Sequence, residues 1–348
     1  MRSHSAASLF AKIVVVTVVT TVCLEVTARL SGVRSGWLDP RLYAPNPITV
    51  YATRPAFQGD FAGAWVSINS EGLRGGEVPA QKQPQELRVL ILGDSVAFGQ
   101  GVPQDEVFAA RLEALLETDG TRRTYRVINA GVPGFNTVNE RDYLVHAGEH
   151  LQPDAIIVLY VDNDADPQLF VGFTDQGVPM TAEGAFTRQD WMGRASAFLY
   201  RHSSLYTFIR RVLLMARVAR TVGGGDAAVY NERARERFSD ANPGLLASTN
   251  ALMDMQRWSQ THRVPLMVAV FSRFPAGSAD AYRDAVVAFC EHAQIPVVAI
   301  PMISAGERPQ DFVIPWDGHP NTRAHGRIAE HLHAALVPLL RTASGPGQ

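Results

Sequence analysis

Cysteine and lysine are nearly missing from this chain of 348 residues. Two cysteines, Cys23 and Cys290, exclude both a disulfide-stapled scaffold and a Cys-rich zinc site. Lys12 and Lys82 are the only lysines among 32 basic residues, and the arginine that replaces the rest reflects coding bias, not function. An excess of one charge sign is also missing. Thirty-two basic and 34 acidic residues leave a net charge of −2, which argues against a nucleic-acid partner. The same counts exclude a collagen, a coiled coil and a multi-span membrane protein. What is present is 46% hydrophobic and 19% charged sequence, enough to bury a sizeable core and too apolar for a disordered chain. The length fits one large domain or two ordinary ones.

One uncharged apolar run stands near the N-terminus, from Ile13 to Leu24, between Arg2 and Lys12 on one side and Glu25 and Arg29 on the other. Its length suits a secretion signal, with Val26-Thr27-Ala28 as a passable cleavage site. With Lys12 and Glu25 snorkelling at the interfaces, the usable span extends from about Ser5 to Leu30, near the ~20 residues that cross a bilayer. A buried soluble helix is the third reading, although a β-branched run at the extreme N-terminus rarely serves as core. Cys23 as a lipid-modified cysteine is disfavoured by the bulk of Val22 before it. Arg29, Arg34 and Arg41 blur the positive-inside rule. The arrangement favours an uncleaved anchor over residues 1–30, with the remainder outside the cytoplasm (periplasmic or extracellular) and a cleaved secretion signal as the alternative.

Residues 31–85 are rich in Pro, Gly and Gln and read as an irregular lead-in with a short hairpin around Val66 to Ile68. From residue 86 the pattern becomes regular. The short apolar run Leu87–Leu92 (LRVLIL) predicts a strand buried on both faces, and Tyr125–Asn129, Ala155–Val161, Pro265–Phe271 and Ile295–Ile300 read as four further strands. Helical spacing at 107–117, 138–150, 252–262, 281–292 and 322–340 fills the intervals. Strand alternating with helix predicts an α/β fold: a doubly wound, mainly parallel five-stranded sheet over residues 86–342, with helices on both faces in three flavodoxin-like layers. Ligands in such sheets bind beyond the carboxyl ends of the strands.

The alternation is broken at about 165–247 by an expected helical insertion. From Arg194 to Gly225 there is no acidic residue but six arginines, at 194, 201, 210, 211, 217 and 220. Leu205, Phe208, Ile209, Val212 and Ala216 recur at helical spacing, with Ser203 or Ser204 available as cap. An amphipathic helix packed on the domain with a solvated basic face is the plainer reading. An arm lying on an anionic membrane surface is the sharper one.

The strand ends carry the chemistry. After the first strand comes Gly93-Asp94-Ser95-Val96-Ala97, which lacks the last glycine of a Gly-x-Ser-x-Gly elbow and the Gly-Lys-Ser/Thr ending of a phosphate loop. After the second comes Asn129-Ala-Gly131-Val-Pro-Gly134-Phe-Asn136, a turn able to aim N–H groups into a cleft. After the third comes Val161-Asp162-Asn163-Asp164, where turn formation alone would also explain the polar residues. Before the last helix stands Trp316-Asp317-Gly318-His319-Pro320-Asn321, with Asn321 a helix cap. Each block alone is weak. Together they occur in order, on one rim of the expected sheet.

In that order the blocks resemble the SGNH, or GDSL, hydrolase superfamily over roughly residues 65–340, the insertion excepted. Ser95 matches the nucleophile block, Gly134 the glycine block, Asn163 the asparagine block, and Asp317 with His319 the acid–base block. Asn69-Ser-Glu-Gly72-Leu-Arg74 also resembles the segment before the first strand in envelope-anchored members. The sequence departs from the family at Val161, where glycine is usual, and at Trp316, which stands where the acid commonly lies, three residues before the histidine. The two-residue Asp317–His319 spacing resembles a variant among relatives that modify envelope polysaccharides, and leaves another carboxylate open as the orienting acid.

The resemblance implies an acyl-serine mechanism: Ser95 the nucleophile, His319 the general base and acid, and Asp317 the orienting carboxylate. Oxyanion donors would be the N–H groups of Ser95 and Gly134 and the Asn163 amide. This chemistry requires no metal or cofactor. The partners implied are an ester substrate, O-acylated glycan ahead of lipid, and a membrane held through the N-terminal helix. An ester hydrolase of the cell envelope leads, with an O-acyltransferase to an envelope polysaccharide as alternative and a non-catalytic glycan- or lipid-binding protein as a second. His146-Ala-Gly-Glu149-His150 spells the inverted zinc-protease pattern His-x-x-Glu-His but falls at a helix end on the opposite rim, where a solvated helix end is the better reading. His331 and His333 read as surface residues late in the last helix.

Overall fold

The lead-in is more ordered than its composition suggests. In the computed structural model, which describes residues 3–33, 39–118, 123–185, 188, 190–222, 232, 234–239, 242–315 and 317–343, it forms two antiparallel hairpins. The first pairs β1 (Tyr43–Asn46) with β2 (Val50–Thr53), and the second pairs β3 (Gln58–Phe61) with β4 (Ala64–Ser67), the hairpin expected near Val66. Trp316, Arg34 and residues 223–231 of the expected insertion lie outside the described residues.

Five parallel strands follow: β5 (Glu86–Gly93), β6 (Thr124–Asn129), β7 (Ala155–Tyr160), then, after the insertion, β11 (Leu266–Ser272) and β12 (Val297–Pro301). They lie in the order β12-β11-β7-β5-β6, the flavodoxin-like arrangement. Alternate side chains of β5 divide between two cores. Val89 and Ile91 pack with helix α3 (Phe108–Glu117) and the last helix, Thr322–Ala343. Leu90 and Leu92 pack with helix α4 (Thr137–Leu151) and the helices Pro243–His262 and Ala281–His292. The helix predicted over 252–262 begins at Pro243, because the Asn242 side chain accepts from the Gly244 N–H (2.8 Å) and proline suits the first helical position.

The chain divides into two compact units, residues 40–186 with 225–348, and residues 1–39 with 187–224. The first contains the sheet and, later in the chain than β7, a small antiparallel sheet of β8 (Gly172–Phe173), β9 (Pro179–Thr181) and β10 (Gly184–Ala185) that the sequence pattern does not predict. The second contains α1 (Ser3–Leu30), α5 (Trp191–His202) and α6 (Ser204–Val222). Residues Ala7–Leu30 of α1 form the one helix among the described residues that is long and apolar enough to cross a membrane, with mean hydropathy 2.2.

Candidate active site

The sheet order reverses between β5 and β7, and the loops after those two strands are the ones that carry Ser95 and Asn163. Ser95 opens a single-turn helix, α2 (Ser95–Phe98), capped by Asp94, whose Oδ1 accepts from the Val96 N–H at 2.8 Å. The serine oxygen is therefore held just outside the strand end.

His319 reaches it from the other end of the chain. Its Nε2 lies 2.9 Å from Ser95 Oγ across 224 positions, and its Nδ1 lies 2.8 Å from Asp317 Oδ2. With Nδ1–H given to the carboxylate, Nε2 presents its lone pair to the serine hydroxyl. The short Asp-Gly-His spacing suffices for this contact because Gly318 sits at φ +87°, in the left-handed region, and turns the chain between Asp317 and His319. The turn is fixed by its neighbours: Asp317 N–H donates to Ile314 O (3.1 Å), Ile314 N–H to His319 O (2.8 Å), and Arg273 Nη1 to Gly318 O (2.9 Å). Asn321 closes the segment by accepting from Arg323 and Ala324 N–H, so the block serves both as helix cap and as part of the site.

Asn163 enters from the loop after β7, its Nδ2 donating to Asp94 Oδ2 at 3.0 Å. The Ser95 hydroxyl lies 3.1 Å from that same oxygen, so one hydroxyl proton faces two acceptors, Asp94 and His319. Burial raises the Asp94 pKa, and the Val96 N–H and the Asn163 amide, which favour the charged form, pull it back. Val161, where the family has glycine, is buried and gives its N–H to Asp164 Oδ2 at 2.5 Å, so the loop is tied down without a glycine there.

Gly134 adopts φ +89°, and a Cβ there would lie 2.7 Å from Leu169 and 3.0 Å from the Tyr51 hydroxyl. Its carbonyl accepts from Tyr51 OH and from Leu169 N–H, which orients the peptide. Edge-on aromatic contacts extend this support: Tyr51 with Phe135 (5.2 Å) and Phe170 (5.0 Å), and Phe61 with Phe98 (5.9 Å).

Four supporting residues were not singled out for a role in the sequence reading. Tyr51 holds the glycine loop. The Gln100 amide lies 3.3 Å from His319 Nδ1. Arg273 holds the Asp–His turn. Arg74, at the end of the Asn69–Arg74 motif, is buried with no carboxylate partner among the described residues; it donates to Phe98 O (2.7 Å), Gly99 O (2.6 Å) and Val102 O (2.6 Å), capping the far end of α2. Burial pulls its pKa down only to about 9, so it stays a cation at neutral pH. In the His-x-x-Glu-His stretch, His146 Nδ1 is 2.8 Å from Asp142 O and the exposed His150 lies 3.5 Å from Glu71, so the two rings engage separate partners.

Residues 91–327 match the model of the GDSL-like lipase/acylhydrolase family. The chain belongs to this family. Solved structures similar to this GDSL hydrolase include TesA (15% identity, 72% of this chain and 99% of that one, TM-score 0.42). A second is the esterase EstA from Pseudoalteromonas sp. (15%, 73% and 98%, 0.38). A third is a two-domain esterase active on acetylated mannans (14%, 75% and 51%, 0.40), of which the chain spans about half the length. No curated protein matches it. Similarities at this level do not bear on substrate.

Proposed function

We propose that this GDSL-family chain is a serine-dependent carboxylic ester hydrolase of the cell envelope, held at a membrane by α1, and that it acts on O-acetyl or other short-acyl esters of carbohydrate ahead of lipid esters. The observation that carries the proposal is the unbroken Asp317–His319–Ser95 contact line of 2.8 and 2.9 Å.

Ser95 Oγ attacks the ester carbonyl while His319 Nε2 takes its proton. The tetrahedral oxyanion is met by the Ser95 and Gly134 N–H groups and the Asn163 amide. Collapse expels the alcohol, which leaves with the proton from His319, and the acyl group stays on Ser95. Water, deprotonated by the same imidazole, then releases the acid and restores the serine. Asp317 keeps the ring oriented and stabilises its charged form. The carbohydrate preference rests on the two-residue acid–base spacing, and the anchor on the apolar length of Ala7–Leu30.

A fluorophosphonate probe tests the nucleophile: a covalent adduct on the peptide containing Ser95, identified by mass, is expected. A folded protein with no adduct would favour the non-catalytic reading. Mass spectrometry of an O-acetylated glycan with and without the protein separates the two enzymes, since a hydrolase removes acyl groups and a transferase adds them.

A further inference from the structure

The unit formed by residues 1–39 and 187–224 joins the proposed anchor to the insertion through one acidic side chain. Glu25 is the sole acidic residue in the first 38 and stands near the end of the largely apolar helix α1. Its carboxylate accepts from Ser203 Oγ (2.7 Å), Ser204 N–H (2.9 Å) and Leu205 N–H (3.0 Å), the N-terminus of the 19-residue helix α6. One turn further along α1, Arg29 pairs with Glu25 (2.7 Å) and donates from Nη2 to His202 O (2.8 Å), the last carbonyl of α5. Anion at a helix N-terminus and cation at a helix C-terminus both complement the helix dipoles. The clamp therefore fixes the α5–α6 hairpin to the end of α1. The hairpin is also tied internally, by Ser196 Oγ with Tyr206 OH (2.6 Å) and Thr207 Oγ1 with Tyr200 O (3.1 Å).

What the hairpin presents is apolar. Trp191, Phe198 and Leu199 are exposed and, at about 100° per residue, lie within one face of α5. Ile209, Val212 and Leu213 are exposed together on α6. Arginines border these stripes: Arg194 and Arg201 lie seven residues apart along one edge of α5, and Arg210 follows Ile209, its guanidinium 5.0 Å from the Tyr200 ring. The one acidic side chain of the hairpin, Asp190, caps the start of α5 and pairs with Arg188. An apolar face edged with arginine is the pattern of a helix lying in a headgroup layer.

We propose that residues 190–213 form a second membrane contact, an interfacial helical hairpin clamped by Glu25 and Arg29 to the anchor and fitted to a bilayer surface bearing anionic lipid. This rests on the reading of α1 as an anchor. The continuity of the hairpin with the apolar span, and the match between its arginines and lipid phosphates, single out lipid over a protein partner.

The full-length protein, reconstituted into phosphatidylcholine vesicles with and without phosphatidylglycerol, tests it. Lipids brominated near the headgroup quench a tryptophan at that depth, and the Trp191 component is the difference between wild type and Trp191→Phe. The expected result is quenching of that component by bromine, shielding from aqueous acrylamide, and a stronger effect with phosphatidylglycerol. Reversing Arg194, Arg201 and Arg210 together to Glu should abolish the lipid dependence while p-nitrophenyl acetate hydrolysis persists. A Trp191 open to acrylamide and untouched by bromine overturns the proposal. A Trp191 shielded from both overturns it in favour of a covering protein. Alkaline carbonate extraction reports on the anchor separately: protein that washes off after showing bromine quenching refutes the anchor and leaves the hairpin contact standing.

Discussion

Phe135, in the glycine loop beside Ser95, is 1% exposed, whereas Phe198 in α5 is 63% exposed and Trp191, seven residues before it, is 71% exposed. The same contrast holds for charge. Arg74 in the hydrolase unit is enclosed and donates to three carbonyls, while Arg201 and Arg210 in the hairpin lie open to solvent. These side chains of the first unit turn inward to hold a geometry, and those of the hairpin face outward. Residue type alone does not separate the two; what does is whether a second layer of structure covers the side chain. Substitutions of similar chemistry should therefore have unequal consequences in the two units.

The nucleophile aside, the largest effect is expected at Asn163. Asn163→Ala removes the proposed oxyanion donor and one partner of Asp94 and should lower kcat by about two to three orders of magnitude, near 3 kcal/mol of transition-state stabilisation, with a small change in KM. Steady-state kinetics on p-nitrophenyl acetate reads it. An unchanged kcat would remove the amide from the site.

Arg74→Met comes next. Three buried carbonyls lose a donor, of which Gly99 O keeps the Val102 N–H, and the unfolding free energy should fall by about 3 kcal/mol or more in denaturant titrations. Arg201→Met, with no comparable partners, should change it by less than about 0.5 kcal/mol. Equal losses at the two arginines would break the contrast drawn above.

A third difference depends on pH. His325 is fully buried, accepts from the Phe108 N–H at 3.1 Å and stacks on the Phe108 ring. Burial first, then the charges of Arg74 and Arg111, pull its pKa from 6.5 down to about 3. The unfolded chain takes up a proton below 6.5 and the folded one does not until about 3, so this contribution is complete above 6.5 and is lost as pH falls. Between pH 6.5 and about 4 the loss amounts to about 3 kcal/mol. Glu140 and Asp164 act in the opposite sense. Burial, followed by the neighbouring carboxylate charges, raises both pKa values well above the ordinary range, so they cost stability as pH rises. The histidine share is isolated by comparison: His325→Asn should show a weaker drop in Tm from pH 7 to 4 than the wild type.

The smallest effect is expected from Phe198→Ser, which exchanges an exposed side chain and should shift unfolding in detergent by less than about 0.5 kcal/mol. Phe135→Ser should cost about 3 kcal/mol or more at the same readout.

The sheet was legible because Leu87–Leu92 and Ala155–Val161 are short, largely apolar runs that alternate with helical spacing, the pattern of parallel strands covered on both faces. Three of the site blocks were legible because each falls at the end of a strand, and the fourth because it precedes the last helix. What sequence left open has a common cause. Tyr51, Gln100 and Arg273 act across long separations in the chain, and nothing local marks a tyrosine as the donor to a glycine carbonyl 83 positions away. The small sheet β8–β10 escaped because strands of two or three residues carry too few alternations to register. Helix α6 was anticipated from its spacing and a serine cap, and Ser203 Oγ does accept from Tyr206 N–H at 3.1 Å. The larger share of that cap comes from Glu25, a partner 178 positions distant that no pattern within the insertion announces.

Hydrolysis of p-nitrophenyl acetate by purified Ser95→Ala, with thermal unfolding as proof of fold, tests the acyl-serine account most directly. The account predicts a rate reduced by about 10⁴-fold or more, close to the uncatalysed reaction. A folded Ser95→Ala protein that turns over at the wild-type rate would contradict it.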